Sequence, residues 1–408
     1  MAAKKESFSD IVSQVSKKYD LEMGSLKDVA PVMSSLSTGN LAIDEILGVG
    51  GFPVGRVIEL YGPPSSGKST CAAQTAAWVQ RQIREGNPRF AGKRIVYMDH
   101  EQVFDVDYAR ALGLDVDDEE TFLFAQPKTL EQSANVSRRL VATGDVALII
   151  YDSVAEMMPS LLEEKETGEA TMALRARLLG DFLSVFNPLL QETQTTAIFI
   201  NHLMEVMSVG GRPGMKSYST PGGRSLKFYS SVRVSFQQIK QIKGAQYSSL
   251  SNDMEDMVEA SDVKVKVEKN KVAKPFKTAT VRVRFGRGFD NAYTALQILI
   301  GHKQIVKATG GYYYFHRLPN LVTPDMPVKA SGTPNPYIRG DRMFFDWVDS
   351  KPEWAAALVE EAQVILDSAV GDVPVFGTET DKFAEADSLT VVDSDDTIEP
   401  SDEEASSS

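Results

Sequence analysis

The sequence predicts an α/β fold built on a mostly parallel central sheet, and three observations carry that expectation. Four apolar runs read as strands: Arg56–Tyr61, Arg94–Asp99, Val146–Tyr151 and Thr196–Ile200. Their near-continuous apolar character suits strands buried on both faces. Segments of helical period lie between them, which is the rhythm of strand, helix, strand. The first strand runs straight into Gly62-Pro63-Pro64-Ser65-Ser66-Gly67-Lys68-Ser69, a match to G-x-x-x-x-G-K-[ST], and a helix over Lys68–Glu85 follows.

The remaining elements follow in chain order. Phe8, Ile11, Val12 and Val15 recur at helical spacing, so a short amphipathic helix is expected at Ser7–Lys18, within an N-terminal segment 1–34. The core spans 35–289. Two long segments break its rhythm, 160–171 and 203–223, and the second holds five glycines and two prolines. Loops of that length inside a compact domain are usually functional or disordered. Strands return at Asp262–Glu268 and Thr278–Phe285, and a smaller α/β domain is expected over 290–370. The stretch 371–408 is acidic and Ser-rich, and reads as a disordered tail.

Charge must be read by region. The net charge is −13, but 378–408 holds eleven Asp or Glu against one Lys, which leaves about −3 on the rest. A polyanionic partner is therefore compatible with the body of the chain. The tail would compete with such a partner for basic surface. No apolar run reaches the length of a membrane span, and no apolar signal core follows Met1. The lone Cys71 excludes an internal disulfide and reads as a small core hydrophobe; a reducing cytoplasm fits.

The Gly–Lys loop carries the chemistry. Its glycines let backbone N–H groups curl around an anion; Lys68 supplies a point charge for β- and γ-phosphates, and the Ser69 hydroxyl can ligate Mg²⁺. ATP and Mg²⁺ are the expected cofactors. Asp152 ends an apolar strand, where ligand sites gather in parallel sheets, and suits a Mg²⁺ carboxylate; the other reading is a helix cap. Glu101, just past the second strand, could activate the attacking water, or be a solvated turn residue. His202 ends the fourth strand and opens the long loop, so it could pass the presence of the γ-phosphate to that loop, or simply be a hydrogen-bonded strand end. Lys264, Lys266, Lys269 and Lys271 read as one side of a strand, suited to a phosphate backbone or to solvent.

Together these residues resemble the RecA recombinase family and its phage relatives of the UvsX type. The segments that carry the likeness run in unbroken order over roughly 35–320. They are Ile43-Asp44 through Gly55-Arg56, Glu59-Leu60-Tyr61-Gly62 into the phosphate loop, Asp105-Val106-Asp107-Tyr108-Ala109-Arg110, Asp152-Ser153-Val154-Ala155, Phe199-Ile200-Asn201, Gly222–Tyr229, and Lys269-Asn270-Lys271 with Pro275-Phe276. The resemblance implies a P-loop NTPase core and gives residues their roles. Glu101 would be the water-activating glutamate. Thr70, Asp105 and Tyr108 would complete the nucleotide site, with Tyr108 on adenine. Lys269 and Lys271 would reach a neighbour's triphosphate. The segments 160–171 and 203–223 would grip DNA, with Met172, Arg177, Gly222, Gly223 and Arg224 among the contacts, and Lys264 and Lys266 would hold incoming duplex. The N-terminal helix would dock on the next subunit. The family has Gln in bacterial members where this chain has His202; UvsX-type members place His there.

The expected function is a DNA-dependent ATPase that forms a helical filament on single-stranded DNA and exchanges strands with homologous duplex. Single-strand-binding and mediator proteins are expected partners, in a bacterial or phage-infected cytoplasm. Two other readings stay open: a RecA-like helicase motor or recombination regulator, and an ATP-regulated protein that coats single-stranded DNA.

Overall fold

The structure is a computed structural model and describes residues 7–19, 23, 34–162, 169–206, 217–248, 253–328 and 336–370. The chain divides into two units, Met1–Ser34 and Ser35–Ser408. In the first, helix α1 spans Phe8–Tyr19 and none of its residues is buried. Ser7 and Asp10 cap it reciprocally: Ser7 N–H donates to the Asp10 carboxylate, and Asp10 N–H donates to the Ser7 hydroxyl.

The second unit begins with β1 (Ser35–Leu36), α2 (Leu41–Leu47) and β2 (Phe52–Pro53). Asn40 caps α2 by accepting from the N–H of Ala42 and Ile43, and Gly48 ends it in the left-handed region at φ 77°. Then come β3 (Val57–Gly62), α3 (Lys68–Arg84), β4 (Arg94–Asp99), α4 (Val106–Ala111), β5 (Phe122–Ala125), α5 (Leu130–Val141) and β6 (Val146–Asp152). Helix α6 (Glu169–Thr193) leads to β7 (Thr196–His202), the short pair β8 (Met204–Val206) and β9 (Ser217–Ser219), and α7 (Gly223–Tyr229). A long hairpin follows, β10 (Val232–Ser248) and β11 (Asp253–Asn270), then β12 (Thr278–Arg284) and β13 (Gly288–Phe289). The last elements are α8 (Asn291–Gly301), β14 (Val306–Ala308), β15 (Tyr312–Tyr314), β16 (Tyr337–Arg339), α9 (Gly340–Ser350) and α10 (Pro352–Val370).

Among the described residues the main sheet has nine strands in the order β13-β12-β11-β10-β3-β7-β6-β4-β5. The half from β10 to β5 is parallel, and the edge from β10 to β13 is antiparallel. Strand β3 lies in the interior, between β10 and β7, so the phosphate loop leaves from a fixed strand. Alternation splits the strands' side chains between two faces. Ile58, Leu60, Ile95, Ile150 and Ile198 pack under α3 against Cys71, Ala72, Ala76 and Val79. Val57, Val96, Ile149, Tyr151 and Phe199 pack against Leu179, Phe182, Leu183, Phe186 and Leu190 of α6. Those five α6 residues sit at helical spacing, and each fully buried side chain of this kind stabilises by about 1.5–3 kcal/mol.

Several expectations change. Strands β5 and β10 were not anticipated, and β11 starts at Asp253 rather than Asp262. The segment 160–171 is not all loop, since α6 begins at Glu169; residues 163–168 lie outside the described residues. The segment 203–223 contains the antiparallel pair β8–β9 and the first residue of α7, and 207–216 lie outside. The acidic tail also lies outside. The lysine stripe holds for Lys264, Lys266 and Lys269, but for a reason that alternation does not supply. By parity alone, Lys264 and Lys266 would face away from Lys269 and Lys271. A bulge at Glu268, opposite the Arg233/Val234 step, returns Lys269 to the side of Lys264 and Lys266, and Lys271 falls beyond the strand end.

Residues 290–370 have their own apolar cluster, including Leu296, Leu299, Phe315, Ile338, Phe344 and Trp354. Ion pairs fasten it to the core sheet. Buried Arg282 of β12 donates to Asp262 at 2.7 Å and to Asp341 at 3.4 Å, with its guanidinium 3.5 Å from the Tyr293 ring centre. Arg284 pairs with Asp349 at 2.7 Å. Among the described residues, no helix is long and apolar enough to cross a membrane.

Candidate nucleotide site

The phosphate loop gets its shape from three backbone positions. Ser65 has φ 56° and Gly67 φ 92°, both left-handed. Gly62 allows a close approach: a Cβ there would stand 2.2 Å from the Phe236 carbonyl oxygen. Gly67 also caps α3, so the loop's anion cradle opens at a helix N-terminus. The Ser66 hydroxyl is buried without a hydrogen-bond partner, a polar atom left over for a ligand. The buried Lys68 ammonium donates to the Pro63 carbonyl at 2.7 Å. Burial pushes Lys68 down to about 8, against the pull of Asp152 and Glu101.

Parallel register assembles the acids. Gly62 pairs with His202 across β3–β7, and Asp99 with Asp152 across β4–β6, so the strand ends meet at one edge. His202 Nε2–H donates to Glu101 Oε1 at 2.6 Å, joining residues 101 positions apart. This bond, more than partial burial opposing it, holds the Glu101 carboxyl below its ordinary value. Asp99 holds the turn that carries Glu101 by accepting from Gln102 N–H at 2.9 Å. The Asp152 carboxylate is pushed up by burial and pulled down by hydrogen bonds from Tyr97 and Ser69. A cis peptide joins Asp152 to Ser153.

Around this edge a pocket is lined by Ser69, Tyr97, Glu101, Asp105, Tyr108 and Asp152. The Tyr108 hydroxyl and Thr70 Oγ1 are 2.9 Å apart, which ties the ring to α3. Asp105 caps α4 by accepting from Tyr108 N–H at 2.9 Å, so its carboxylate is already engaged structurally. Among the described residues no cluster of three His, Cys, Asp or Glu could hold a metal. Mg²⁺ is held by one or two protein groups plus phosphate and water; the hydroxyl of Ser69 and the carboxylate of Asp152, which line the same pocket, have the chemistry for it.

The other expected site residues lie elsewhere. Lys269 Nζ donates to the carbonyls of Lys227 and Phe228 at 2.6 and 3.0 Å, and Lys271 Nζ to that of Phe228 at 3.3 Å. Burial first, then Lys271 and Arg233, push Lys269 down to about 8. Lys264 is exposed, while Lys266 pairs with Glu268 at 3.0 Å. Arg177 and Arg224 are exposed; the Met172 side chain lies outside what is described. Gly222 and Gly223, at φ 95° and 66°, seat α7 on α6: a Cβ would stand 2.9 Å from Leu179 and 2.8 Å from Ala176 respectively.

Two features escaped the sequence reading. Tyr97 points its hydroxyl at Asp152 Oδ2, 2.7 Å away. The second is a buried network beneath the phosphate loop. Glu59 accepts from Arg233 Nε at 2.5 Å and from Asn201 Nδ2 at 2.9 Å, and Asn201 also donates to the Pro221 carbonyl at 2.9 Å. It ties β3, β7 and β10 to the end of the 203–223 segment. A Glu, an Asn and an Arg in otherwise apolar strands are the sequence signal for it, because buried charge demands a partner.

Residues 3–290 match the family model described as the RecA N-terminal domain. The chain belongs to the RecA family. The Protein RecA of Latilactobacillus sakei is 38% identical over 284 residues, 69% of this chain and 72% of that protein. That of Brevibacillus brevis is 38% identical over 317 residues, 77% and 82% of the two chains. The chromosomal Protein RecA of Lactococcus lactis is 33% identical over 368 residues, 89% and 87%. These RecA relatives are bacterial.

One pH effect follows from Lys68. Phosphate binding favours the ammonium, so nucleotide binding takes up a proton where free Lys68 has lost its own. ATP affinity should therefore fall as pH rises through 8, by up to about tenfold per unit. Lys68→Arg, which stays charged, should flatten that profile. Fluorescent ATP-analogue titrations between pH 7 and 9.5 would check it, and a flat profile in the parent protein would refute it.

Proposed function

We infer that this RecA-family chain is a DNA-dependent ATPase that forms a helical filament on single-stranded DNA. It pairs that strand with homologous duplex and exchanges strands in recombination and repair. The observation that carries the ATPase reading is the convergence of Lys68, Ser69, Glu101, Asp152 and His202 at one sheet edge.

In this reading the loop from Gly62 to Thr70, with Pro63, Pro64, Ser65 and Ser66, cradles the phosphates, and Lys68 offsets their charge. Tyr108 packs on adenine beside Asp105. Ser69 and Asp152 hold Mg²⁺, which supplies charge stabilisation at the phosphates. Glu101 takes a proton from the water that attacks the γ-phosphorus, and ADP leaves with the bridging oxygen. His202 acts as the switch. While it donates to Glu101 the carboxylate is a weak base; turning to a γ-phosphate oxygen, it releases Glu101 and pulls on the segment that begins at Leu203.

Lys269 and Lys271 are assigned to a neighbour's triphosphate. Their present acceptors are backbone carbonyls, whose hydrogen bonds are cheaper to exchange than an ion pair. A head-to-tail contact that does not close produces a helical filament. DNA is assigned to the segments 160–171 and 203–223, with Met172, Arg177, Gly222, Gly223 and Arg224, and duplex to Lys264 and Lys266. Phosphate contacts of this kind position a strand without reading it, so homology is tested by base pairing. Domains are assigned as 1–34 for assembly, 35–289 for the ATPase core, 290–370 as the smaller domain and 371–408 as the tail. A finer placement near the phage UvsX type rests on His202. Cytoplasmic location and single-strand-binding or mediator partners complete the reading.

Purified protein with ATP, single-stranded DNA and homologous duplex should give joint molecules, and filaments with a non-hydrolysable analogue. Filaments without joint molecules would favour a coating protein; neither would favour another RecA-like motor.

A further inference from the structure

We propose that Tyr97 is a positioning residue that sets the Mg²⁺ affinity of the ATP site by holding Asp152. This rests on the ATPase reading above and extends it to a residue outside the phosphate loop and the acids.

Tyr97 lies inside β4 and is 2% exposed, yet its hydroxyl donates to Asp152 Oδ2 at 2.7 Å. The register explains the reach. Tyr97 pairs with Ile150 on β6, so its ring points along the same sheet face towards the strand end two residues on, where Asp152 sits. The ring is fixed on its other sides. Phe104 packs edge-on at 4.8 Å and Phe124 stacks at 6.3 Å. Phe104 is in turn anchored by its N–H to Asp99 Oδ2 at 3.4 Å.

A carboxylate that ligates a metal has two oxygens and a free torsion. A donor fixed on Oδ2 removes that freedom and presents Oδ1 in one orientation. The second hydroxyl on Asp152 is that of Ser69, whose oxygen must turn to the metal when nucleotide binds. Among the described residues, Tyr97 is then the remaining hydroxyl donor on this carboxylate. A phenylalanine would fill the same apolar space and lack the donor, so a purely packing role makes Tyr97→Phe silent.

The test is full-length Tyr97→Phe beside parent and Asp152→Asn. Mn²⁺ binding in the presence of ADP is read by electron paramagnetic resonance, and nucleotide binding in EDTA by a fluorescent analogue. Metal affinity should fall about 10- to 100-fold in Tyr97→Phe, with EDTA-state nucleotide binding and the melting temperature unchanged. Turnover should recover as Mg²⁺ is raised. Unchanged metal affinity in Tyr97→Phe with a weakened Asp152→Asn overturns the proposal and leaves the ATPase reading standing. Unchanged affinity in both overturns both.

Discussion

Glu101→Gln should lower DNA-stimulated ATP turnover by about 10²- to 10⁴-fold, the usual contribution of a positioned base, while filaments on single-stranded DNA still form. The amide keeps the size of the carboxylate and can still accept from His202 Nε2–H, the 2.6 Å bond of the parent protein. What it cannot do is take the proton of the attacking water. Nucleotide binding depends on the phosphate loop, which the substitution does not touch. Turnover is read by phosphate release with and without DNA, and filaments by electron microscopy with ATP. Activity within tenfold of the parent would remove Glu101 from the reaction. Lost filaments with normal nucleotide affinity would show that Glu101 serves assembly instead.

Lys68→Ala should have the broader effect. Loss of one charged clamp on a transferring phosphoryl group costs about 10²- to 10³-fold in rate, and here it also weakens binding, so nucleotide-dependent filaments should disappear. Misfolding would give the same losses, and the buried ammonium separates the two. Lys68 sits near 8 in the folded chain against 10.5 as a free side chain, so the folded form binds this proton less tightly. Below pH 8 that costs on the order of 3 kcal/mol of stability, and the cost fades as pH rises from 8 to 10.5. Removing the group removes the cost. The variant also loses the 2.7 Å bond to Pro63 and the packing of the buried stem, which offset that gain, so without nucleotide it should melt close to the parent at pH 7. A clearly lower melting temperature would point to a structural role.

The parallel half of the sheet was legible because its strands are short apolar runs between helical patterns, and the phosphate loop because its spacing is dictated by an anion. The site acids were legible as strand-end residues, but their partners were not. His202 and Glu101 meet only because β3–β7 and β4–β6 align their ends. Tyr97 looks like any aromatic in a buried strand; its function lies in a register that no local pattern records. Arg233 and Glu59 find each other across 174 positions. Strand β5 is Phe-Leu-Phe-Ala, an apolar run of only four residues, too short to tell a strand from a buried helix segment by pattern alone. Lys269 shares a face with Lys264 and Lys266 only because one extra residue at Glu268 changes the phase, an irregularity invisible to a period of two.

The interior place of β3 has a consequence for synthesis. Its neighbours are β7, paired from Ala197 onward, and β10, paired at Val232–Ser235. A nascent chain that has emerged only to Thr193 carries the phosphate loop and the acids Glu101 and Asp152, but neither strand that flanks β3. Translation at about 5–20 residues per second places Ser235 roughly 10–50 s after initiation. Strand β3 thus gains its two neighbours only late in synthesis, the second of them at Val232–Ser235.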